Sequence, residues 1–378
     1  MKIVVVSHSS VVGLYQQKLA LMRRKSDDEI SLITPLSWRE GGREVIAETR
    51  RYPELDVTPL RVHWHNRLNR HFYSWRTMKE YFRIRRPDLV FVEEEPWSFC
   101  AMQMRHFCRS NAVPYVFFTW ENIRRRYNLV QEYIFRNVLG SAAAAVAGSW
   151  DTAEIVRGRS FEKPILIQPQ YGVDPTIFYR KAASRFRDGW RVSGPVIGFA
   201  GRLVAEKGID LFLKAFDALT VSATCVIAGS GPEFNSLKEY AVRLRRAQDI
   251  YFIGPVPHDQ IPDFLSALDI IVLPSRTTLT WKEQFGRILI EAMACEVCTV
   301  GSDSGAIPAV IGTSGWIYQE NDLRALTKIL EDLCSDGEER KRFAAAGRSR
   351  VLEHFTNDIL AQRLHNFFHQ ILEHRSTG

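Results

Sequence analysis

The chain of 378 residues contains no run of 18 or more apolar residues, so we expect no membrane-spanning helix. Its first residues, Met1–Val6, form an apolar stretch that is too short for a signal peptide, and we expect a first strand there.

Only six cysteines occur in this long chain. Without an export signal they predict reduced thiols and a cytoplasmic location. The pair Cys295-x-x-Cys298 falls between a predicted helix and a predicted strand, and we expect two buried structural thiols.

Metal-binding patterns are also missing. We find no D-x-D motif, and no His and Cys cluster with the spacing of a zinc site stands out. We therefore expect no metal and no tightly bound cofactor. Low-complexity tracts and internal repeats are absent as well, while an apolar fraction of 46% and a charged fraction of 25% are typical of a globular protein.

Positive charge is concentrated in the first half of the chain. Residues 1–185 carry a net charge of +10 and the remainder −3, in agreement with the total of +7. The stretch 67–86 interleaves aromatic residues with arginines and a lysine, a composition that suits an anionic membrane surface. The alternative is a helix with its aromatics in the core and its arginines in water. Nucleic acid is not expected as a partner, because no recognition motif accompanies the charge.

Strand and helix patterns alternate along the whole chain, which predicts an α/β fold with two Rossmann-like doubly wound domains facing a cleft. We expect the first domain at 1–185, with a last helix at 357–378 packing back on it, and the second at 190–356, with a linker at 180–194. The predicted strands are 2–7, 30–34, 89–93, 115–119, 143–147, 164–168, 195–200, 223–228, 250–253, 270–273, 297–301 and 315–317. The main predicted helices are 11–24, 69–85, 97–111, 127–139, 150–158, 208–219, 233–246, 259–267, 285–295, 321–334, 337–353 and 357–373.

The stretch E-Q-F-G-R-I-L-I-E places Glu283 and Glu291 eight residues apart. Eight helical residues rise about 12 Å, so the two carboxylates cannot act on one atom but can hold two ends of an extended ligand. If the helix begins near Phe285-Gly286, its free N–H groups suit a phosphate, and the carboxylates suit hydroxyl pairs. The alternative is an amphipathic helix with solvated glutamates.

A second glycine-rich turn, Gly201–Gly208, carries Arg202 and Lys207 between a predicted strand and a predicted helix. A planar guanidinium and a point-charge ammonium on such a turn can hold an anion. The alternative is an exposed basic loop without a ligand.

These two segments and two others occur in a recognisable order. G-R-L-x3-K-G is followed by G-S-G-P-E at 229–233, by L-P-S at 273–275 and by E-x-F-G-x4-E-A-M-A at 283–294. Together they resemble the donor half of the family 4 retaining glycosyltransferases, also called glycosyl transferases group 1. The segments 172–178 and 303–308 also resemble parts of that family, which has the GT-B fold.

The resemblance implies roles for individual residues. Arg202 and Lys207 would bind the donor diphosphate and stabilise the leaving group, and Glu283 would contact the donor sugar. Glu291 would hold the ribose. The remaining donor-side residues would complete the phosphate cradle and the base pocket: Gly201, Phe285, Gly286, Arg287, Ile253 and Gly254. Arg287 is equally compatible with a solvent-facing position. No metal or cofactor is implied, since the nucleotide-sugar, expected to be a UDP- or GDP-sugar, is a co-substrate.

The first half should hold the acceptor, and its strand ends suggest candidates. Glu93 or Glu95 could bind an acceptor hydroxyl and Trp97 could stack on a sugar, or the run could be an acidic helix start. Glu121 or Asn122 stands where many members of the family carry a histidine. Gly13 stands alone where the family often has two glycines, which puts phosphate contact by that loop in doubt.

His8 follows the first predicted strand, and histidine, as a residue type with a near-neutral reference pKa, can serve as a general base. It would serve an inverting GT-B enzyme, but the E-x7-E pattern favours a retaining one, so a structural or acceptor-contact role is preferred. The expected activity is transfer of a hexosyl unit from a nucleotide-sugar to a glycan or lipid-linked acceptor. The protein is expected in the cytoplasm, and the basic stretch 67–86 suggests peripheral attachment to the inner face of the cell membrane. The rival hypothesis is a catalytically silent nucleotide-sugar-binding or scaffold protein with the same fold.

Overall fold

The structure is a computed structural model that describes residues 1–40, 43–182 and 186–376. The chain divides into two compact units. Unit 1 comprises Met1–Gly172 and Asn357–Gly378, and unit 2 comprises Val173–Thr356. Unit 1 therefore ends 13 residues earlier than the bound of 185 expected from the sequence. The described part of the expected linker 180–194 belongs to unit 2, and residues 183–185 lie outside the described residues.

Unit 1 is built on a seven-stranded parallel sheet with the strand order β11-β10-β9-β8-β1-β2-β5. The strands are rich in Val, Ile and Phe because both faces of the sheet are covered, as parallel sheets require. They are β1 (Lys2–Val6), β2 (Glu29–Pro35), β5 (Asp56–Leu60), β8 (Leu89–Val92), β9 (Tyr115–Thr119), β10 (Ala144–Ala147) and β11 (Ile165–Ile167).

Two short antiparallel hairpins accompany this sheet: β3 (Ser37–Glu40) with β4 (Arg43–Ile46), and β6 (Val62–His63) with β7 (Phe72–Tyr73). The helices of unit 1 are α1 (Gln17–Arg24), α2 (Trp75–Arg85), α3 (Phe99–Ser110), α4 (Leu129–Ser141), α5 (Trp150–Arg157) and α13 (Asn357–Ser376). Ser74, Ser98, Asn128 and Ser149 cap α2 to α5 by accepting a backbone N–H.

The predicted helix 69–85 is wrong at its start, because Phe72 and Tyr73 pair as a strand and Ser74 caps the helix that follows. The predicted helix 11–24 begins with two 3-10 turns and becomes α-helical only at Gln17. The strand β5 and both hairpins were not predicted, since their residues form neither a continuous apolar run nor a clear alternation of apolar and polar residues.

The core of unit 1 lies on both faces of the sheet. One layer joins Met104 and Phe107 of α3 to Phe117 of the sheet. The other joins Phe91 to Phe368, with ring centroids 5.2 Å apart, and thereby packs α13 against the sheet and α1.

Unit 2 is built on a six-stranded parallel sheet with the order β14-β13-β12-β15-β16-β17. Its strands are β12 (Val196–Ala200), β13 (Thr224–Ala228), β14 (Ile250–Gly254), β15 (Ile270–Leu273), β16 (Cys298–Ser302) and β17 (Trp316–Tyr318). Its helices are α6 (Ile209–Ala218), α7 (Phe234–Val242), α8 (Ile261–Ser266), α9 (Arg287–Ala294), α10 (Ile307–Ile311), α11 (Leu323–Ser335) and α12 (Gly337–His354). Cys295 and Cys298 are buried free thiols here. None of the helices described in either unit is both long enough and apolar enough to cross a membrane.

Candidate functional site

Three glycine-containing loops meet at the edge where the strands of unit 2 end. The Gly201 amide donates to Ala228 O at 3.0 Å, and a Cβ on Gly229 would lie 1.8 Å from Gly201 O. Gly208 has φ +64°, and a Cβ there would lie 2.0 Å from Pro274 O. The turns after β12, β13 and β15 therefore approach one another backbone to backbone, which only glycine permits at these positions.

The Glu283 carboxylate is the centre of the site in unit 2. Its Oε2 accepts hydrogen bonds from Lys207 Nζ at 2.5 Å and from Ser275 Oγ at 2.7 Å. Glu283 is only 6% exposed, and the ring centroid of Trp281 lies 5.1 Å from Lys207 Nζ. Residues that are 76 positions apart thus meet in one charged cluster. The sequence assigned Lys207 and Glu283 to different parts of a ligand, whereas here they are directly paired.

The backbone around Glu283 is held as firmly as its side chain. Ala306 N–H donates to Glu283 O at 3.1 Å, and Gly305, at φ +54°, leaves space for that carbonyl, because a Cβ would lie 2.1 Å from it. Gly286 adopts φ +76° as the N-cap of α9, and Phe285 is buried. Glu283 therefore stands just before a helix start, as the spacing argument requires.

Glu291 lies inside α9 and is 5% exposed. Burial raises the pKa of Glu291, and the Arg287 guanidinium, with Nε 3.0 Å from Glu291 Oε1, opposes this effect. Arg287 is thus neither fully solvated nor a third cation on its own, because its charge is engaged with the carboxylate one turn away.

The remaining donor-side candidates lie along the same edge. The Arg202 side chain is exposed and makes no hydrogen bond or ion pair within the described parts of the chain, so its guanidinium faces solvent. Ile253 and Gly254 end β14, and Gly254 O accepts the amide of Gly229 at 2.8 Å. Chemically, this edge offers a solvent-facing cation, an ammonium with two further donors and the N–H groups of a helix start, which together suit an anion.

In unit 1 a second charged cluster forms around Glu94. The His8 backbone N–H donates to Glu94 Oε1 at 2.8 Å, and His8 Nδ1 lies 2.7 Å from Oε2. His71 Nε2 lies 3.5 Å from Oε1, and the Trp38 ring packs against both imidazoles. Burial tends to raise the pKa of Glu94, but His8 and His71 prevail and hold this pKa at about 2.

The neighbouring carboxylates are engaged elsewhere. Lys18 Nζ lies 2.8 Å from Glu93 Oε1, with both side chains at most 3% exposed. Glu95 accepts from Thr119 Oγ1 at 2.6 Å and from Trp120 N–H at 2.9 Å. Burial raises the pKa of Glu95 to about 7. Glu93 and Glu95, the predicted acceptor contacts, therefore bind protein groups in this structure.

The other acceptor-side candidates are more scattered. Trp97 packs on the core, with its ring 6.0 Å from that of Tyr127, whose hydroxyl donates to buried Glu121. Burial raises the pKa of Glu121. Asn122 is buried, and Gly13 starts a 3-10 turn against the Glu48 side chain.

Sequence reasoning missed several members of both clusters. Ser275 lies in the L-P-S motif, which could have indicated it, and Trp281 lies two residues before Glu283. In the run Glu93–Glu95 only the middle residue faces His8, and no sequence signal distinguishes it. Trp38 and His71 come from the hairpin regions that were not predicted.

Comparison with known proteins shows which family and which proteins this chain resembles. Residues 180–350 match the family described as glycosyl transferases group 1. A GDP-mannose-dependent monoacylated alpha-(1-6)-phosphatidylinositol monomannoside mannosyltransferase of Corynebacterium glutamicum is 31% identical over 49% of this chain and 50% of that protein. A 2-deoxystreptamine N-acetyl-D-glucosaminyltransferase of Streptomyces fradiae is 29% identical over 46% of this chain and 42% of that protein. The chain thus matches about half the length of these curated relatives.

Solved structures resemble the chain over nearly its whole length. Sucrose-phosphate synthase from Thermosynechococcus elongatus superposes with a TM-score of 0.75 at 16% identity and covers 99% of both chains. Anabaena HepE, solved in complex with UDP, superposes with a TM-score of 0.75 at 17% identity, over 98% of this chain and 100% of that one. At these identities the likeness concerns the fold alone, and it confirms the predicted α/β fold with two Rossmann-like domains of the GT-B type.

Proposed function

We propose that this chain, which belongs to the glycosyl transferases group 1 through its residues 180–350, transfers a hexosyl unit from a nucleotide-diphosphate sugar to a glycan or lipid-linked acceptor. The single observation that carries the proposal is the convergence of Lys207, Ser275 and Glu283 beside the start of α9. A buried carboxylate held by an ammonium and a hydroxyl, next to the N-terminus of a helix, is suited to a ligand with both hydroxyls and phosphates.

The donor diphosphate is assigned to Arg202, Lys207 and the N–H groups at the start of α9. As the glycosidic bond breaks, negative charge accumulates on the departing nucleoside diphosphate. Cations and helix N–H groups that are already in place stabilise this charge and lower the barrier. One donor of the Lys207 ammonium is directed to Glu283, and two remain for phosphate oxygens. We therefore propose a reaction without a metal ion, in which a chelator leaves turnover unchanged.

Glu283 and Glu291 are assigned to the hydroxyls at the two ends of the donor. Glu283 would accept a hydrogen bond from a hydroxyl of the donor sugar, with its carboxylate held in place by Lys207 and Ser275. Glu291 would hold the ribose, with its carboxylate positioned by Arg287 one turn earlier in the helix. UDP- and GDP-sugars are the expected donors. A thermal-shift screen of UDP-, GDP- and ADP-sugars tests this, because a ligand that binds only the folded state raises the Tm.

The test of the activity is release of nucleoside diphosphate from donor, with and without acceptor. Lys207→Met and Arg202→Gln should each lower release at least ~100-fold, on the order of losing one preorganised charge. Lys238→Met and Arg243→Gln, which change exposed cations on and just after α7, are matched controls and should behave as wild type. No release by the wild-type chain with any donor that binds would instead establish the silent binding protein.

An inverting reaction is the second candidate, and the pairing of His8 with Glu94 favours it. A carboxylate on Nδ1 orients an imidazole and favours the tautomer with its lone pair on Nε2, which a general base requires. We prefer retention, because the two glutamates and the cations occupy the edge of unit 2 as the retaining family's motifs imply. The anomeric configuration of the product, read by proton NMR before mutarotation, decides between the two.

The lipid-linked acceptor is the basis for proposing attachment to an anionic membrane on its cytoplasmic side. Support comes from the exposed part of 67–86, where Trp75 is 48% and Ile84 62% exposed between Arg76, Lys79 and Arg83. Tyr81 and Phe82 are buried, so these two aromatics agree with the alternative of a helix that packs its aromatic residues in the core. Flotation with anionic and neutral vesicles tests the proposal. Equal recovery with both lipids, or undiminished binding by Trp75→Ala, would remove it.

A further inference from the structure

Helix α13 carries two histidines one turn apart, His365 and His369, so their side chains share one face of the helix. The helix packs against α1 and the sheet of unit 1. This packing brings the two imidazoles to Asp28, in the short connection between α1 and β2. Neither residue type nor spacing relates Asp28 to the histidines in the sequence, and only the fold makes them neighbours.

Three side-chain atoms of these residues converge. Asp28 Oδ2 lies 2.9 Å from His365 Nδ1 and 3.4 Å from His369 Nε2. The two imidazole centroids are 4.3 Å apart. Asp28 is 3% exposed, whereas the side chains of His365 and His369 are 22% and 40% exposed. The carboxylate thus lies in the interior of unit 1, and the two imidazoles are partly exposed at its surface.

The same three atoms lack hydrogen-bond partners. Asp28 Oδ2, His365 Nδ1 and His369 Nε2 are all buried, and in the described ranges of the chain none of them makes a hydrogen bond of acceptable geometry. The other carboxylate oxygen, Oδ1, accepts from the Met1 amino group at 2.7 Å. Buried polar atoms normally have a hydrogen-bond partner, so a carboxylate oxygen that lies within ion-pair distance of two imidazole nitrogens without a hydrogen bond requires an explanation.

We infer that Asp28, His365 and His369 form a binding site for a divalent first-row metal ion, of which Zn²⁺ fits best. Two imidazoles and one carboxylate are ligands that zinc accepts at about 2.0–2.2 Å. Tetrahedral ligands at that distance are roughly 3.4 Å from one another, which is close to the observed spacings. When three ligands bind one ion, their lone pairs are directed at the ion and not at each other. This explains why Asp28 Oδ2 lies close to both imidazole nitrogens without a hydrogen bond. A water molecule would be the fourth ligand of a tetrahedral ion.

The location indicates a structural role. Asp28 precedes β2, and Glu29 N–H donates to Met1 O, so the cluster lies at the edge where the strands begin. Ligands of open α/β sheets bind at the opposite edge, beyond the carboxyl ends of the strands. The ion would therefore fasten α13 to the sheet of unit 1. The expectation of no metal overlooked this H-x3-H spacing, because the carboxylate that completes the set is 337 residues away from His365.

The experiment uses the full chain after treatment with a chelator. Titration calorimetry with Zn²⁺ should give one site, and Co²⁺ should give the visible absorption of a four-coordinate ion. His369→Ala and Asp28→Asn should each weaken this site at least ~10-fold. His374→Ala, which removes an exposed histidine of the same helix, is the matched control and should bind as wild type. Zinc at a hundredfold excess over its Kd should raise the Tm of wild type by about 5–10 °C.

Two results would overturn the inference. One is the absence of a stoichiometric zinc site in the wild-type chain. The other is equal weakening by His374→Ala, which would indicate adventitious binding to surface histidines. Because His369 is 40% exposed, the metal-free His369→Ala variant should melt within a few degrees of metal-free wild type, so that a loss of binding reports the ligand and not the fold.

Discussion

The pairing of Lys207 with Glu283 can be tested by a double-mutant cycle. The two side chains are 17% and 8% exposed and 2.5 Å apart, and Ser275 donates to the same carboxylate oxygen. Lys207→Met keeps the length of the side chain but leaves a nearly buried carboxylate without its cation. Breaking a buried pair on one side costs about 3–5 kcal/mol. The solvent that reaches Lys207 and the remaining Ser275 bond reduce this, and we expect a loss of roughly 2–3 kcal/mol.

Glu283→Gln removes the charge and retains an oxygen that can accept from Ser275. It leaves Lys207 unpaired, but an ammonium that is 17% exposed regains part of its hydration, so we expect a smaller loss, about 1–2 kcal/mol. The double variant has no unpaired charge. Its loss should therefore fall short of the sum of the single losses by at least about 1 kcal/mol.

The assay is urea unfolding of the four proteins at neutral pH, with Lys238→Met as the control for a lysine in solvent. Losses that add to within about 0.3–0.5 kcal/mol would refute the coupling, since independent sites behave in that way. In the donor assay, both single variants should lose turnover while Lys238→Met retains it.

Three further predictions concern other parts of the two units. Gly208→Ala should destabilise unit 2 by about 2–4 kcal/mol, because φ is +64° and the added Cβ meets Pro274 O. The control Gly189→Ala, with open space around the added Cβ, should change stability by less than about 1 kcal/mol. Thermal melts of the two variants and wild type measure the difference. The pKa of Glu95 is about 7 in the folded chain against an ordinary 4.5, so the folded state binds the extra proton and stability falls as pH rises from about 4.5 to 7. Glu95→Gln should remove roughly 2–3 kcal/mol of that fall, and parallel pH profiles for the variant and wild type would contradict the assignment. His8→Gln should lower turnover less than about tenfold if the reaction is retaining, whereas a loss of 10²–10⁴-fold with an inverted product would identify His8 as the base.

The sequence was most informative where local pattern and tertiary role coincide. Buried parallel strands are continuous apolar runs, so β1, β9 and β12 were predicted to within one residue. The glycine turns of unit 2 were predicted because a backbone that must approach another backbone requires glycine. Glu283, just before a helix, and Glu291, inside it, lie where the spacing placed them.

The sequence could not show which partner each charged side chain selects. Lys207 meets Glu283 and not a neighbouring acid because β12 and β15 are adjacent in the sheet, and that adjacency is a property of topology. Likewise, Glu94 reaches His8 because β8 pairs with β1. The hairpins that supply Trp38 and His71 have short strands with weak alternation, so their contribution to the His8 cluster appears only in three dimensions.

A crystal structure of the full chain with UDP or GDP, whichever raises the Tm more, tests the central proposal most directly. The account predicts the diphosphate within about 3 Å of Arg202, Lys207 and the first N–H groups of α9, with the ribose hydroxyls on Glu291. A diphosphate bound to other groups, with Lys207 and Glu283 untouched, would contradict it.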